Sequence, residues 1–161
     1  MCSSDLILFE SYIDCLSNGH SVSQADLYPV TTEMNPSDII LLKEIEKELV
    51  MLGFRFQHPD NKSITITGRP SSAAESDPRE MLEILLEDYK NSESDLSSGV
   101  REKVAASMAA ASAIPYGKTL SPEEMENLFD TLFACKSPNY SPKGKPVITI
   151  LTLEELDKRF K

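Results

Sequence analysis

Four segments of the chain begin with the same pattern, in which a polar residue is followed three positions later by an acid. The four segments are Asn35-Pro-Ser-Asp, Asp77-Pro-Arg-Glu, Ser121-Pro-Glu-Glu and Thr152-Leu-Glu-Glu. A polar side chain at a helix start can accept a hydrogen bond from a free backbone N–H, and Pro at the next position has no N–H to lose. The acid then lies at the positive end of the helix dipole. The pattern therefore predicts four helix starts.

Apolar residues follow three of these starts at helical spacing, and we expect each set to form a buried stripe. The helix predicted over 36–52 ends at Gly53, which suits the residue after a helix. Its apolar residues are Ile39, Leu42, Ile45, Leu49 and Leu52. The helix predicted over 78–90 has Met81, Leu82, Leu85 and Leu86 or Tyr89, and the one over 122–133 has Met125, Leu128, Phe129 and Leu132.

Runs of β-branched and aromatic residues predict strands between the helices. Residues 54–57 and 63–67 are predicted to form a hairpin with the turn His58-Pro-Asp-Asn, and 28–34 is predicted to be extended. Near the end of the chain, a turn rich in Pro, Gly and Lys leads into 147–151, predicted to be a short strand. That turn is either an ordinary loop before a strand or the remnant of a metal-binding or recognition turn.

Residues 104–114, VAASMAAASAI, are predicted to be a helix of mostly small side chains that ends before Pro115. Small side chains let the helix backbone approach a neighbouring element closely. Such a helix belongs in a core or at a subunit interface, and we favour the core. A shorter amphipathic helix is predicted over 7–16.

The predicted order is helix, strand, helix, hairpin, three helices, strand and helix, which is an α+β pattern. Residues 31–95 are predicted to be a self-contained subdomain of helices and a hairpin. It would be inserted between two halves of another subdomain, 1–30 and 96–161, that combine a small sheet with helices.

Charge and cysteine content exclude several classes of function. Acidic residues outnumber basic ones 26 to 16, for a net charge of −10, and such a surface repels phosphate. We therefore do not expect this chain to bind DNA by itself. Its three cysteines, Cys2, Cys15 and Cys135, lack C-x-x-C spacing, which indicates reduced thiols and argues against a cysteine zinc site. No apolar run approaches the roughly 20 residues that a membrane span needs.

The stretch VAASMAAASAIPYGKTLSPEEMENLFDTLFAC, followed by SPNYSPKGKPVITIL, resembles the C-terminal dimerisation domain of the bacterial mismatch-repair MutL family. The resemblance runs from Leu27 onward with gaps. It implies that the chain is a dimerisation and partner-docking module, that the discontinuous subdomain is the dimerising one, and that 31–95 is external to it. The resemblance also answers the question of the turn at 141–146, which occupies the family's Cys-Pro-His-Gly-Arg-Pro position.

Many members of this family nick DNA with metal ions, and the resemblance carries their ligand positions onto Ala110, Ser141 and Lys143. A hydroxyl is a poor ligand for such a metal, an ammonium repels it, and Ala offers no donor. The resemblance therefore implies a degenerate nuclease site, no bound metal or cofactor in this fragment, and no enzymatic activity of its own.

The first residues raise a separate expectation. Cys2-Ser-Ser-Asp-Leu is what TGC TCT TCC GAT CT, completed by any base, encodes, and that string looks like a sequencing adapter. We expect residues 1–6 to be non-native and the chain to be an N-terminally truncated piece of the family's domain, entering near Ile7. If residues 1–6 are non-native, Asp5 is not counted as a metal ligand. Glu10 is either the last position of the family's Asp-Gln-His-Ala-x-x-Glu metal motif or an exposed helix carboxylate.

The segment Gln24-Ala-Asp-Leu-Tyr-Pro fits the Gln-x-x-Leu-x-Pro motif with which the family docks the replication sliding clamp. In such a peptide Gln24 would hydrogen-bond backbone groups, while Leu27 and Pro29 would fill an apolar groove. Asp26 weakens the match, because the family favours an apolar or neutral residue there. The alternative is a loop entering a strand, with Leu27 buried.

The leading hypothesis is a homodimerising module that associates through the first helix, the small-residue helix and the terminal strand. Ile148, Ile150 and Leu151 are its candidate interface residues, although all three could equally be core residues. The resemblance implies that ATP binding, mismatched-DNA binding and other repair partners belong to the full-length protein, in the bacterial cytoplasm and without a membrane partner. A metal-dependent nicking endonuclease is the first alternative. It needs converging ligands, and the only histidines, His20 and His58, are predicted in loops. An unrelated acidic adaptor is the second.

Overall fold

The computed structural model describes residues 2–19, 23–60, 62–73, 76–92 and 99–160. Within them the helices are α1 (Cys2–Asn18), α2 (Pro36–Leu52), α3 (Pro78–Asn91), α4 (Val100–Ser112), α5 (Pro122–Ala134) and α6 (Leu153–Arg159). The strands are β1 (Ser23–Glu33), β2 (Arg55–Gln57) and β3 (Ser63–Pro70). The mixture of helices with a small antiparallel sheet confirms the predicted α+β class.

The four predicted helix starts are all present, and three use the side chain of the capping residue. Asp77 accepts hydrogen bonds from the N–H groups of Arg79 and Glu80, and Ser121 and Thr152 each form a reciprocal capping box. Asn35 differs, because its side chain makes no cap bond. Its backbone carbonyl accepts from Asp38 and Ile39 instead.

The sheet has the order β1-β3-β2 with antiparallel neighbours. The predicted hairpin is confirmed: β2 pairs with β3, and Phe56 and Gln57 lie opposite Ile66 and Thr65. β1 is the other neighbour of β3 and is longer than the predicted extended stretch. Gly53, with a φ of 110°, ends α2 in the left-handed conformation that favours glycine and turns the chain toward the hairpin.

The stripes of α2 and α3 are buried as predicted, and they pack with β3 into one hydrophobic core. The small-residue helix α4 lies inside that core, which confirms the favoured interpretation. It packs against α1 and α3, and Val104, Ala105, Met108 and Ala109 have no exposed surface. Tyr12 and Leu16 of α1 join the same core, which thus draws on residues from both sides of the predicted subdomain borders. The division at 31–95 stays a prediction.

The buried stripe predicted for α5 is wrong. Leu132 is buried, but Met125 is 52% exposed and Phe129 is 60% exposed. α5 packs mainly against α1, Leu128 is half-buried, and Met125 and Phe129 are left largely uncovered by the described residues.

The strand predicted over 147–151 is also wrong. After the bridge between Tyr140 and Pro146, residues 148–152 have no regular secondary structure. A strand is stabilised by hydrogen bonds to a neighbour, and no described strand lies beside this segment. β-branched residues alone are therefore insufficient here. In the described ranges no helix is long and apolar enough to cross a membrane.

Candidate functional site

Three large apolar side chains of α5 point outward at intervals of one helical turn. They are Met125, Phe129 and Phe133, and each is more than half exposed. The two phenylalanine rings contact each other with their centroids 4.6 Å apart and their planes inclined by 48°. This is a tilted aromatic pair of the kind found in protein cores and interfaces, but it lies on the surface.

The terminal arm, which we define as residues 148–160, carries a second set of apolar side chains. Ile148 is half-buried, whereas Ile150 is 85% exposed. The other exposed members are Leu151, Leu153, Leu156 and Phe160. α6 is held by its own capping box, and the hydrogen bonds from Thr152 lower the pKa of Glu155. The arm thus contains a short helix with no buried residue.

Of the three predicted interface residues, the structure exposes Ile150 and Leu151 and half-buries Ile148. The exposure of Met125, Phe129 and Phe133 was not predicted, because the same helical spacing occurs in a core stripe and in an interface stripe. We call these three residues, together with Ile150, Leu151, Leu153, Leu156 and Phe160, the C-terminal apolar set.

The turn over 139–147 is closed by hydrogen bonds that occupy Ser141. Its N–H donates to the Lys145 carbonyl at 2.8 Å, and its Oγ accepts from the Lys145 N–H at 3.1 Å. Gly144 has a φ of 72° and donates its N–H to the Ser141 carbonyl. The serine is buried, and its hydroxyl supports the turn.

Lys143 forms an ion pair with Asp88 of α3. Both residues line a cavity of about 660 Å³ between α1, the end of α3, the start of α4 and the turn. Asp5 of α1 interacts electrostatically with both charges. Burial raises the pKa of the Asp5 carboxyl, Asp88 adds to the rise, and Lys143 opposes it.

Ala110 lies elsewhere, in a groove shared with Glu80, Ile84 and Tyr116. The structure therefore does not bring the three degenerate ligand positions into one cavity. Their chemistry does not fit a metal ion either, since Ala110 has no donor atom, the Ser141 hydroxyl is engaged in the turn and Lys143 is a cation. Among the described residues, no group of three or more His, Cys, Asp or Glu side chains could hold a metal.

Glu10 has a structural partner in the loop after α5. Its carboxylate oxygens accept hydrogen bonds from the N–H groups of Lys136, at 2.9 Å, and Ser137, at 3.2 Å. This contact links α1 to the C-terminal part of the chain.

His58 lies 3.1 Å from the Glu46 carboxylate, and His20 is outside the described residues. Among the described residues neither Cys15 nor Cys135 forms a disulfide bond, and burial raises the pKa of both thiols.

The segment predicted to dock the sliding clamp lies within β1, at an irregularity in the pairing of β1 with β3. Ala25 lies opposite Gly68 and Val30 lies opposite Ile66, so four residues of β1 are accommodated against one of β3. Within this bulge Tyr28 is 86% exposed and Pro29 is also exposed. Gln24, paired with Arg69, is exposed just before it. The Leu27 side chain lies outside what the structure describes.

A helix-and-sheet body that leaves such large apolar side chains exposed is typical of the class of protein-assembly modules. The comparisons with known proteins identify the family. The model of the MutL C-terminal dimerisation domain matches residues 3–120, and the chain belongs to that family.

Similar proteins carry the name DNA mismatch repair protein MutL. The one from Bacteroides fragilis is 34% identical over 155 residues, which is 96% of this chain and 25% of the relative. The Chloroherpeton thalassium protein is 35% identical over 154 residues, covering 96% of this chain and 24% of the relative. The Pelodictyon phaeoclathratiforme protein is 34% identical over 154 residues, with 96% and 25% coverage. The chain thus spans about a quarter of the length of these relatives.

Proposed function

We propose that this chain joins two copies of a longer mismatch-repair polypeptide through the C-terminal apolar set. The observation that carries the proposal is the exposure of eight large apolar side chains on α5 and the terminal arm. The description of the matched family as a dimerisation domain supports the joining of two copies, and the match to residues 3–120 ends before the C-terminal apolar set. Ile148, the third residue of the predicted interface, would lie at the edge of this contact.

The exposed area suits a stable dimer. A large side chain that is half exposed offers on the order of 100 Å², so eight of them offer about 800 Å². A stable interface needs about 800 Å² from each partner. Burying this area would provide the driving force for association, since apolar burial is the main favourable term in most interfaces.

The charge distribution is compatible with a central apolar contact surrounded by acids. Glu123, Glu126 and Asp130 are exposed on α5, and Glu154 and Glu155 are exposed on α6. Such acids are typical of the solvated rim of an interface, whereas charges are depleted at its centre. Two chains of net charge −10 repel each other, so the apolar contact has to offset that repulsion.

The mass of the 161-residue chain in solution tests the proposal. We expect light scattering behind size exclusion, at micromolar concentration, to give twice the monomer mass of 17.9 kDa. A monomer mass over the whole concentration range would contradict the proposal.

We also propose that the β1 bulge is the docking element for the replication sliding clamp, with Gln24, Leu27 and Pro29 as its contacts. The exposure of Gln24, Tyr28 and Pro29 supports this, because a docking peptide has to be accessible. The irregular pairing supports it as well, since a bulge turns side chains out of the regular ladder.

We infer that the chain has no nuclease step and no cofactor of its own. The donor chemistry at Ala110, Ser141 and Lys143 supports this inference and gives no support to a nicking endonuclease. ATP turnover, mismatch recognition and contacts with DNA and other repair proteins would then belong to the rest of a longer cytoplasmic protein. Incubating the chain with supercoiled plasmid and Mn²⁺ tests the point, and nicking above that of a Ser141→Ala, Lys143→Ala control would contradict it.

A further inference from the structure

The ion pair between Lys143 and Asp88 joins two parts of the chain that are 55 positions apart. Asp88 lies in the last turns of α3, inside the helical body, and its side chain is only 19% exposed. The Lys143 side chain is 46% exposed and belongs to the turn that precedes the terminal arm. The contact is therefore partly shielded from water, where charges interact more strongly than at an open surface.

A second carboxylate shares the same lysine. Asp5 of α1 interacts with Lys143 and with Asp88. One oxygen of each carboxylate, Oδ1 of Asp5 and Oδ2 of Asp88, is buried and accepts no hydrogen bond from the described residues. Two partly buried carboxylates close together repel each other, and each carries a cost of desolvation. A cation that interacts with both carboxylates offsets part of that cost.

We propose that the Lys143 ammonium acts as an internal counter-cation for Asp88 and Asp5 and thereby latches the 139–147 turn onto α3 and α1. By the resemblance, position 143 corresponds to a metal ligand in the family. In this chain the Lys143 side chain itself carries a positive charge. The other charges near the site are Glu102 and Lys103 of α4, which line the same cavity, and Lys145, which interacts with Asp5.

The latch has a consequence for the end of the molecule. The turn passes directly into the terminal arm, in which α6 has no buried residue. Lys143 would therefore fix the point from which the arm extends. The inference concerns the folded chain itself and does not depend on the proposed dimer.

Thermal unfolding of four proteins tests the latch: the wild type, Lys143→Met, Asp88→Asn and the double variant, all at low salt and pH 7. We expect Lys143→Met to lower Tm by about 3–6 °C, because it leaves Asp88 without its ion-pair partner and removes one of the cations near Asp5. The double variant should lose less than the sum of the two single losses. Lys143→Arg, which keeps the charge, should stay within about 1 °C of the wild type.

Lys136→Met is the matched control, since Lys136 is an exposed lysine in the loop just before the turn. The Tm of the Lys136→Met variant should equal that of the wild type within the error of the measurement. If Lys143→Met loses no more than this control, or if the losses at 143 and 88 are additive, the latch does not exist. Should Lys143→Met fail to fold, a folded double variant supports the latch and an unfolded one overturns it.

Hydrogen exchange gives an independent measurement at the turn. The N–H groups of Ser141, Gly144 and Val147 are bonded within the turn. In Lys143→Met they should exchange at least several-fold faster, while core amides of α2 such as Ile45 should follow only the change in global stability. Unchanged exchange in the turn contradicts the latch.

Discussion

Phe129 and Phe133 stand one turn apart on α5, with their ring centroids 4.6 Å apart and both rings more than half exposed. An aromatic pair contributes to stability mainly when surrounding groups exclude water from it. Here Leu132 covers the inner side of the helix, and the pair itself faces outward. The arrangement is that of a preorganised contact for a second molecule, and the proposed dimer supplies one.

The first prediction concerns this pair. Replacing Phe129 with Glu should weaken the dimer by about 30-fold or more, which corresponds to about 2 kcal/mol for a central interface residue. The charge would have to be desolvated on association, and the ring's apolar area would be lost. Sedimentation equilibrium over a range of concentrations measures the dissociation constant.

Ile40→Glu provides the matched control for that experiment. Ile40 is an exposed apolar residue in the first turns of α2, away from α5 and the terminal arm in sequence. Its replacement should leave the dissociation constant within about twofold, a difference of less than 0.5 kcal/mol. Equal effects of the two substitutions would show that the α5 surface has no special role.

The second prediction concerns α4. Ala109 is fully buried where α4 packs against α1 and α3, so a larger side chain has no space there. Ala109→Leu should cost about 2 kcal/mol or more, which for a chain of this length lowers Tm by about 4–8 °C. Ala134→Leu, at the exposed end of α5, should have little effect. Equal Tm values for the two variants would mean that α4 is not tightly packed.

The elements that could be predicted from the sequence are those fixed by local chemistry. Asp77, Ser121 and Thr152 cap their helices as their side chains allow, and Gly53 ends α2 because glycine tolerates its positive φ. These helix starts and ends depend only on residues that are close in the sequence. The stripes of α2 and α3 were also predictable, because the same core covers both.

The predictions were wrong where the burial or the conformation of a segment depends on the part of the molecule that packs beside it. The spacing of Met125 and Phe129 is compatible with a core or an interface, and only the fold shows that α5 leaves them uncovered. Ile148 and Ile150 favour a strand, but a strand also needs a neighbouring backbone. At the candidate site, the ion pair of Lys143 joins positions that no sequence spacing could connect.

The third prediction concerns Asp60, in the turn of the hairpin. Its Oδ1 accepts hydrogen bonds from the N–H groups of Lys62, at 2.7 Å, and Ser63, at 2.6 Å. The bonds from Lys62 and Ser63 lower the pKa of the Asp60 carboxyl below 3.8. Because the folded state favours the ionised form, its contribution to stability is complete above the unfolded pKa and is lost as the pH falls through the folded pKa.

Asp60→Ala should therefore lower Tm at pH 7, and the difference from the wild type should shrink as the pH drops below about 4. Thermal unfolding at several pH values measures both effects. Glu44→Ala, at an exposed position of α2, serves as the control and should leave Tm at pH 7 unchanged. A difference that persists undiminished at low pH would show that the ionised carboxylate is not what stabilises the turn.

The last prediction concerns the β1 bulge. If Gln24 hydrogen-bonds backbone groups of the clamp, Gln24→Ala should weaken binding by about tenfold, the loss expected for a contact worth about 1.4 kcal/mol. Asp26→Ala should leave binding unchanged or strengthen it, because Asp26 replaces a neutral residue of the motif and its charge has to be desolvated near an apolar groove. Surface plasmon resonance with the sliding clamp of the same organism measures both affinities. Weaker binding for Asp26→Ala, or equal binding for Gln24→Ala and the wild type, would mean that the bulge docks in another way or not at all.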